Sequence, residues 1–283
     1  MTSAAEHEGL PEYASLLAAR HAAHHRELRE FMEEHWSGKD LAVLDVACGD
    51  GFYAATFDAV LGPRSRIAAL DVSPAFLEWA SACRWGSRSL SPRTQFVAAA
   101  AERLPFEEGS FDLVWCAQSL ISLPEPLDCL REMVRVTRPG GTVAILENDR
   151  LHELQLPWPP ELEIVLRTAE RSAASDSASA EKPHAGRFLE AMMLDAGLRP
   201  AQRISIVIDR SPPLSVADEA FLQTYLHELS ERVANDLTPK DRDELLRLAT
   251  PSSPAYLPAQ PSFWMTWTDV VVFGKREVGS VGE

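Results

Sequence analysis

The residues best placed to do chemistry lie in Leu44-Asp-Val-Ala-Cys-Gly-Asp-Gly51, where an apolar run of strand length meets an expected helix. Gly49 and Gly51 permit positive φ and let a ligand approach the backbone with no Cβ in the way. Asp71 ends the next apolar run, about 20 residues further on, where an acid can accept hydrogen bonds from both hydroxyls of a ribose. Asp45 sits inside the strand just before the turn. There it would repel a pyrophosphate, but through its neighbours it could orient an ammonium group. The turn lacks a complete G-x-G-x-x-G, because Ala47 holds the first position and Tyr53-Ala54 follow the last, and no Walker lysine comes after it. These points argue against phosphoryl transfer and separate the turn from the usual dinucleotide pattern. A tight turn with a purely structural role would also fit.

A base, if the chemistry needs one, should come from loops over the sheet. His152 follows the fifth expected strand by a few residues, and Glu147 stands at its tip. His184 and His227 are further candidates. Six acids (Glu147, Asp149, Glu153, Glu161, Glu163, Glu170) fall close to Trp158, and Trp264 and Trp267 stand near the last strand. Acids beside tryptophan could bind a cation. Equally, the acids could be the wet face of a helix and the tryptophans core. His21, His24 and His25 share one helical face at a spacing that could hold a metal. No metalloenzyme carboxylate motif accompanies them, so they read as surface or edge residues and no metal is expected.

The elements that must position these groups alternate. Residues 12–36 read as one or two helices, with Leu17, Leu28, Phe31 and Met32 near helical spacing. Strands are expected over 41–47, 66–72, 94–98, 111–117 and 142–147. Helices lie between them at 52–60, from Ser73-Pro74, and at 127–137 before Arg138-Pro-Gly-Gly141. Near-continuous apolar strands separated by helices imply a parallel sheet covered on both faces. Beyond residue 147 the pattern changes. A loop and helix span 148–171, a small polar loop 172–186, and a helix 187–196. A sixth strand follows at 203–209, an amphipathic helical pair at 217–249 and a last strand at 265–275. The helical pair falls between the last two strands and should form part of a lid.

The chain has 283 residues, 46% of them apolar, enough for one large domain, or one domain with a sizeable insertion. No apolar run reaches the roughly 18 residues of a membrane span. The N-terminal MTSAAEHEGLPEYASLL lacks the features of a secretion signal, so a cytoplasmic location is expected. Cys48, Cys83, Cys116 and Cys129 show no metal or disulfide spacing and fit reduced thiols. With 27 basic and 42 acidic residues the net charge is −15, which disfavours nucleic acid and anionic lipid as partners. A cationic small molecule remains compatible with it. A homodimer through the N-terminal helices or the lid is open, and nothing in the sequence requires one.

On these motifs the chain resembles the class I S-adenosylmethionine (AdoMet)-dependent methyltransferases, especially the small-molecule branch. The family's first motif matches LDVACGDG, with alanine for a common glycine at 47, and its second matches the acid in ALDVSPAFLEWA. Its third region matches FVAAAAERLPFEEGSFDLV, and its strand-four region WCAQSLISLPEPLDCLREMVRVTRPGG. The likeness is dense over 41–147 and returns in the last two strands. It implies an α/β fold, a Rossmann-like, doubly wound, mostly parallel seven-stranded sheet with helical lid insertions at 148–186 and 213–262. An N-terminal helical cap would occupy 1–40 and the methyltransferase domain 41–283.

The resemblance further implies AdoMet as cofactor and S-adenosylhomocysteine as its product. Asp45, Ala47, Gly49 and Gly51 would line the methionine end, Asp71 would hold the ribose, and Val72 would pack on the adenine. Ala101 and Glu102 would meet the adenine edge, and Gln118 would border the sulfonium. Tyr13 and Arg20, on a helix closing over the cofactor, would meet its carboxylate. Two departures matter. The family often has an aspartate where this chain has Ala100, which weakens the expected grip on adenine. It also often has histidines where this chain has Ile121-Ser122, which removes a common candidate base. The reaction implied is methyl transfer to an oxygen or nitrogen of a small molecule, a natural-product (antibiotic) or sugar-bearing scaffold. Two other readings stay open: a non-methylating enzyme such as a cyclase or decarboxylase, and a catalytically silent AdoMet-binding module.

Overall fold

The computed structural model describes residues 10, 13–82, 90–149, 153–175 and 185–278. Strands β1 (Ala42–Val46), β2 (Arg66–Asp71), β3 (Thr94–Ala98), β4 (Phe111–Ala117) and β5 (Thr137–Glu147) run parallel in the order β3-β2-β1-β4-β5. A two-residue strand β6 (Leu154–Gln155), β7 (Leu198–Arg210) and β8 (Met265–Arg276) complete the set. β8 lies antiparallel to β5, and β7 lies antiparallel to β8. All seven expected strands form. β6 adds an eighth by pairing with β8 at Trp267 and Thr266. Two residues carry no readable period, so the sequence shows only loop there.

Successive side chains of a strand face opposite layers. On β4, Leu113, Trp115 and Ala117 enter one core, and Val114 and Cys116 enter the other. The first core is covered by α1 (Ala14–Trp36), α2 (Phe52–Val60), α5 (Pro160–Ser175), α7 (Val216–Val233) and α8 (Pro239–Ala249). α4 (Pro126–Val136) and α6 (Ala185–Asp195) cover the second, and α3 (Pro74–Ala82) packs on β2 and β3. The helices begin where local chemistry asks. Ser73 Oγ accepts from Phe76 N at 3.4 Å, Ser215 and Asp218 form a reciprocal capping box, and Thr238 caps α8 just before Pro239.

Four expectations shift: β5 starts at Thr137 rather than residue 142 and so takes in Arg138-Pro-Gly-Gly141, and three others follow. Residues 14–36 form one helix, because Leu28, Phe31, Met32 and Trp36 bury a continuous stripe. Each such side chain contributes roughly 1.5–3 kcal/mol when buried. α5 runs to Ser175, into the segment expected to be loop from residue 172, and residues 176–184 lie outside the described residues. β7 starts at Leu198, since its pairing with β8 survives a register shift between Pro200 and Gln202.

The first lid segment thus carries α5, and the second carries α7 and α8. Arg210 fastens α1 to this lid. Its guanidinium donates to both carboxylate oxygens of Glu27, to the Ala23 carbonyl and to Asp218, each at 3.0 Å. No described helix is long and apolar enough to cross a membrane.

Candidate active site

The chain turns at residues 47–51 from β1 into α2, at the carboxyl edge of the parallel strands, where open α/β sheets bind ligands. Ala47 (φ 56°), Gly49 (φ 50°) and Gly51 (φ 76°) are all left-handed. That conformation costs a residue with a Cβ about 1–2 kcal/mol, so position 47 favours glycine although alanine fills it. At Gly51 a Cβ would lie 2.8 Å from Ala80 Cβ, so no side chain fits. Turn and acid hold each other. Asp71 Oδ2 accepts from Gly49 N at 3.0 Å and Oδ1 from Ser73 N at 2.8 Å.

Over the turn lies a cavity of about 400 Å³. Ala47, Cys48, Gly49, Asp71 and Val72 line one side. Gln118 and Ser119, after β4, and Glu147, at the tip of β5, border it. α1 adds Tyr13, Leu17 and Arg20. α7 and β8 bring Phe221, Tyr225, Glu228, Arg232 and Trp267. Tyr13, Arg20, Ala47, Gly49, Asp71, Val72, Gln118 and Glu147 therefore share one space, as a single site would require.

Other sequence candidates fall elsewhere. Asp45 is 1% exposed and off the cavity lining. Burial first, then the carboxylates of Asp50 and Asp71, push its carboxyl well above the usual range. Gly51 caps α2 against Ala80 rather than facing the cavity. Ala101 is buried in the second core, and Glu102 is not in the cavity lining. His152 and His184 lie outside the described residues. His227 is exposed on α7 and off the lining.

The histidines of α1 are not surface residues throughout, as their sequence suggested. His21 is buried, its Nδ1 paired with Asp50 Oδ2 at 2.7 Å and its ring stacked on Phe52 at 4.4 Å. It thereby ties α1 to the turn. His24 is buried against Phe221 and Trp267, with ring centroids 5.1 and 5.3 Å apart. Burial first, then the charges of Arg20, Arg210 and His21, hold its pKa well below 6.5. Among the described residues no group of three metal-ligating side chains forms.

The acids of 147–170 also separate. Glu147 and Glu153 line the cavity, whereas Asp149 pairs with Arg187, Glu163 with Arg167 at 3.1 Å, and Glu170 with Arg232 at 3.1 Å. Glu161 is exposed. Of the three tryptophans, Trp267 lines the cavity, Trp158 packs on the core, and Trp264 is 42% exposed. Cys48, Cys116 and Cys129 are buried free thiols, and Cys83 is outside the described residues. Asp269, the ion-pair partner of Arg20, gives no signal in the sequence. In MTWTDVVVF it reads as one polar step of an alternating strand.

A methyltransferase domain family matches residues 44–145. A demethylmenaquinone methyltransferase of Lactococcus lactis subsp. lactis (strain IL1403) is 36% identical over 107 residues, 38% of this chain and 42% of that protein. A ubiquinone/menaquinone biosynthesis C-methyltransferase UbiE of Ectopseudomonas mendocina (strain ymp) is 35% identical over 105 residues, 37% and 41% of the two chains. The match thus spans less than half the length of these relatives. Among solved structures, the YcgJ protein from Bacillus subtilis superposes with a TM-score of 0.55 at 17% identity, covering 90% of this chain and 100% of that one. The [4+2]-cyclase SpnF gives 0.50 at 19% identity, covering 89% and 81%. These two likenesses bear on the fold alone. α1 and the lid lie outside 44–145, while the turn, Asp71 and Gln118 lie inside it. Over residues 44–145 the chain thus carries a methyltransferase domain, similar to that of these quinone-biosynthesis methyltransferases.

Proposed function

We propose that the protein transfers the methyl group of AdoMet to an oxygen or nitrogen of a small molecule held between the glycine turn and the lid. The shared cavity carries this reading. Ala47, Gly49, Asp71 and Gln118 border one part of it, and Phe221, Tyr225 and Trp267 border another. A cofactor on the first set and an acceptor on the second would meet with no wall between them. The volume suits a small-molecule site.

The residues present fit AdoMet. Asp71, fixed by two backbone amides, can take the ribose hydroxyls. Tyr13 stands near that acid; burial first, then the Asp71 charge, raise its phenol pKa. Arg20 lies seven residues further along α1, about 10 Å at 1.5 Å per residue, and offers a cation to the methionine carboxylate. Gln118 Oε1 is buried without a partner and would border the sulfonium. Val72 is exposed and free to cover an adenine. Ala101 and Glu102 follow β3, whose Ala98 pairs with Asp71, and so stand at the same sheet edge for the adenine rim. Asp45 and Gly51 would act from beneath the turn by shaping it.

AdoMet supplies an electrophilic methyl group whose leaving group is a neutral thioether. The chain must align the partners and exclude water, effects that can supply roughly 7–11 kcal/mol. Glu147, 1% exposed on the cavity wall, would accept the proton of an acceptor hydroxyl or ammonium. With AdoMet bound there, the acceptor lone pair would form the bond to the methyl carbon as the C–S bond broke, its electron pair staying on sulfur. His152 is the other candidate base. Glu153 and Glu228, with the aromatic wall, suit a cationic or sugar-bearing natural-product acceptor.

Calorimetric titration of AdoMet and S-adenosylhomocysteine, with Asp71→Ala alongside, tests the cofactor half. Saturable binding to the native protein, weakened about 100-fold in the variant, is expected from the loss of two charge-assisted hydrogen bonds. Methyl-labelled AdoMet with a panel of amines and alcohols tests the transfer. Acceptor conversion with AdoMet unspent would replace this reading with a non-methylating one.

A further inference from the structure

Asp269 is fully buried on β8 and is off the cavity lining. Its Oδ1 accepts from Arg20 of α1 and, at 2.9 Å, from Trp267 Nε1 of its own strand. The guanidinium carbon of Arg20 lies 4.4 Å from the centroid of that indole. One arginine is thus fixed twice, by a carboxylate at its end and by a ring beneath it. Arg20 and Trp267 both line the cavity. Arg20 Nε and Asp269 Oδ2 are buried without partners. His24, one turn along α1, packs on the same indole with neither ring nitrogen partnered. As a neutral ring it adds no charge to repel the guanidinium.

A buried ion pair is weak support for stability, since apolar side chains of similar volume often do as well. What the pair provides is a planar cation of fixed direction with donors to spare. We propose that Asp269 is a positioning residue that, through Arg20, sets the grip on the carboxylate at the methionine end of AdoMet. This rests on the cofactor placement proposed above. The course of α1 supports it. Tyr13 neighbours Asp71, Leu17 Cδ2 lies 3.2 Å from where a Cβ on Gly49 would stand, and Arg20 follows one turn later. The helix therefore tracks the cofactor from its ribose to its amino-acid end. With Asp269 in place, Arg20 meets the incoming carboxylate already oriented.

The test uses two ligands that differ at that end. S-adenosylhomocysteine carries the amino-acid group, and 5′-deoxy-5′-methylthioadenosine lacks it. By calorimetry, Asp269→Asn and Arg20→Gln should each weaken S-adenosylhomocysteine about tenfold or more. Trp267→Phe, which removes the indole donor and trims the ring beneath Arg20 but leaves the Asp269 carboxylate, should weaken it by about threefold. Methylthioadenosine should change by less than about twofold throughout, and the double variant should lose no more than Arg20→Gln alone. Equal losses for both ligands would overturn the proposal and leave Asp269 a structural role. Unchanged S-adenosylhomocysteine affinity in Asp269→Asn would overturn it as well. If a thermal melt shows Asp269→Asn unfolded, Asp269→Glu and Trp267→Phe carry the same two-ligand comparison. A native protein that binds neither ligand would sink the cofactor placement itself, and the positioning role with it.

Discussion

The two ends of the cavity are built by different means. At the turn end the backbone defines the site. Three residues are left-handed, two amides hold Asp71, and Gly51 has no room for a Cβ. At the lid end side chains define it, drawn from α1, α7 and β8, which are far apart in sequence. A backbone-defined site fits into one short motif and changes little without breaking. A side-chain-defined site can be recut one residue at a time. The family match covers 44–145 and stops short of the lid, as expected if the backbone-built end holds the cofactor and the side-chain-built end holds the acceptor, as proposed above.

Glu147 stands at the border of the two ends, and its removal should have the largest effect. Glu147→Gln is expected to lower kcat by roughly 10²–10⁴-fold. AdoMet affinity, followed by calorimetry, should hold. Native turnover in this variant would move the base into the loop and lid, with His152 next in line. The second effect separates the ends by stability. Gly51→Ala should destabilise the fold by about 2–5 kcal/mol, combining a left-handed Cβ with overpacking against Ala80. Glu228→Gln, on the lid, should stay within about 0.5 kcal/mol in the same urea titration. Similar losses in both would erase the distinction.

The smallest effect concerns the seam where α1 meets the lid. The folded state holds the His24 pKa well below 6.5, while the unfolded chain takes up that proton near 6.5. Below that pH the unfolded state binds more protons, so stability falls as pH drops. The slope from this one group is at most about 1.4 kcal/mol per pH unit. His24→Phe should flatten urea-derived stability between pH 7 and pH 5. A native curve already flat across that window would show that the buried ring is protonated with little penalty.

Much of the turn end was legible in the sequence because its signals are local. Apolar runs gave β1 to β5, paired glycines gave the turn, and a strand-end acid gave Asp71. Ala47 was visible as a departure, and its left-handed backbone explains why glycine is usual there. The lid end hid itself for a physical reason. Phe221 and Tyr225 read as the apolar stripe of α7, and they are, but the stripe also faces the cavity. His21 and His24 read as surface because burial of that face depends on Asp50 and on α7, about 200 residues away for the latter. Asp269 needed Arg20, 249 positions distant, before it meant anything. β6 was too short to have a period.

α1 touches Gly49 through Leu17 and is clamped to the lid through Arg210. On the proposed placement, this one helix would roof the cofactor and brace the acceptor chamber. Any movement of α1 away from the turn would have to undo the His21–Asp50 and Arg20–Asp269 pairs together. Such a latch would couple any opening at the turn to a loosening of the lid, because both pairs and the Arg210 clamp sit on the same helix.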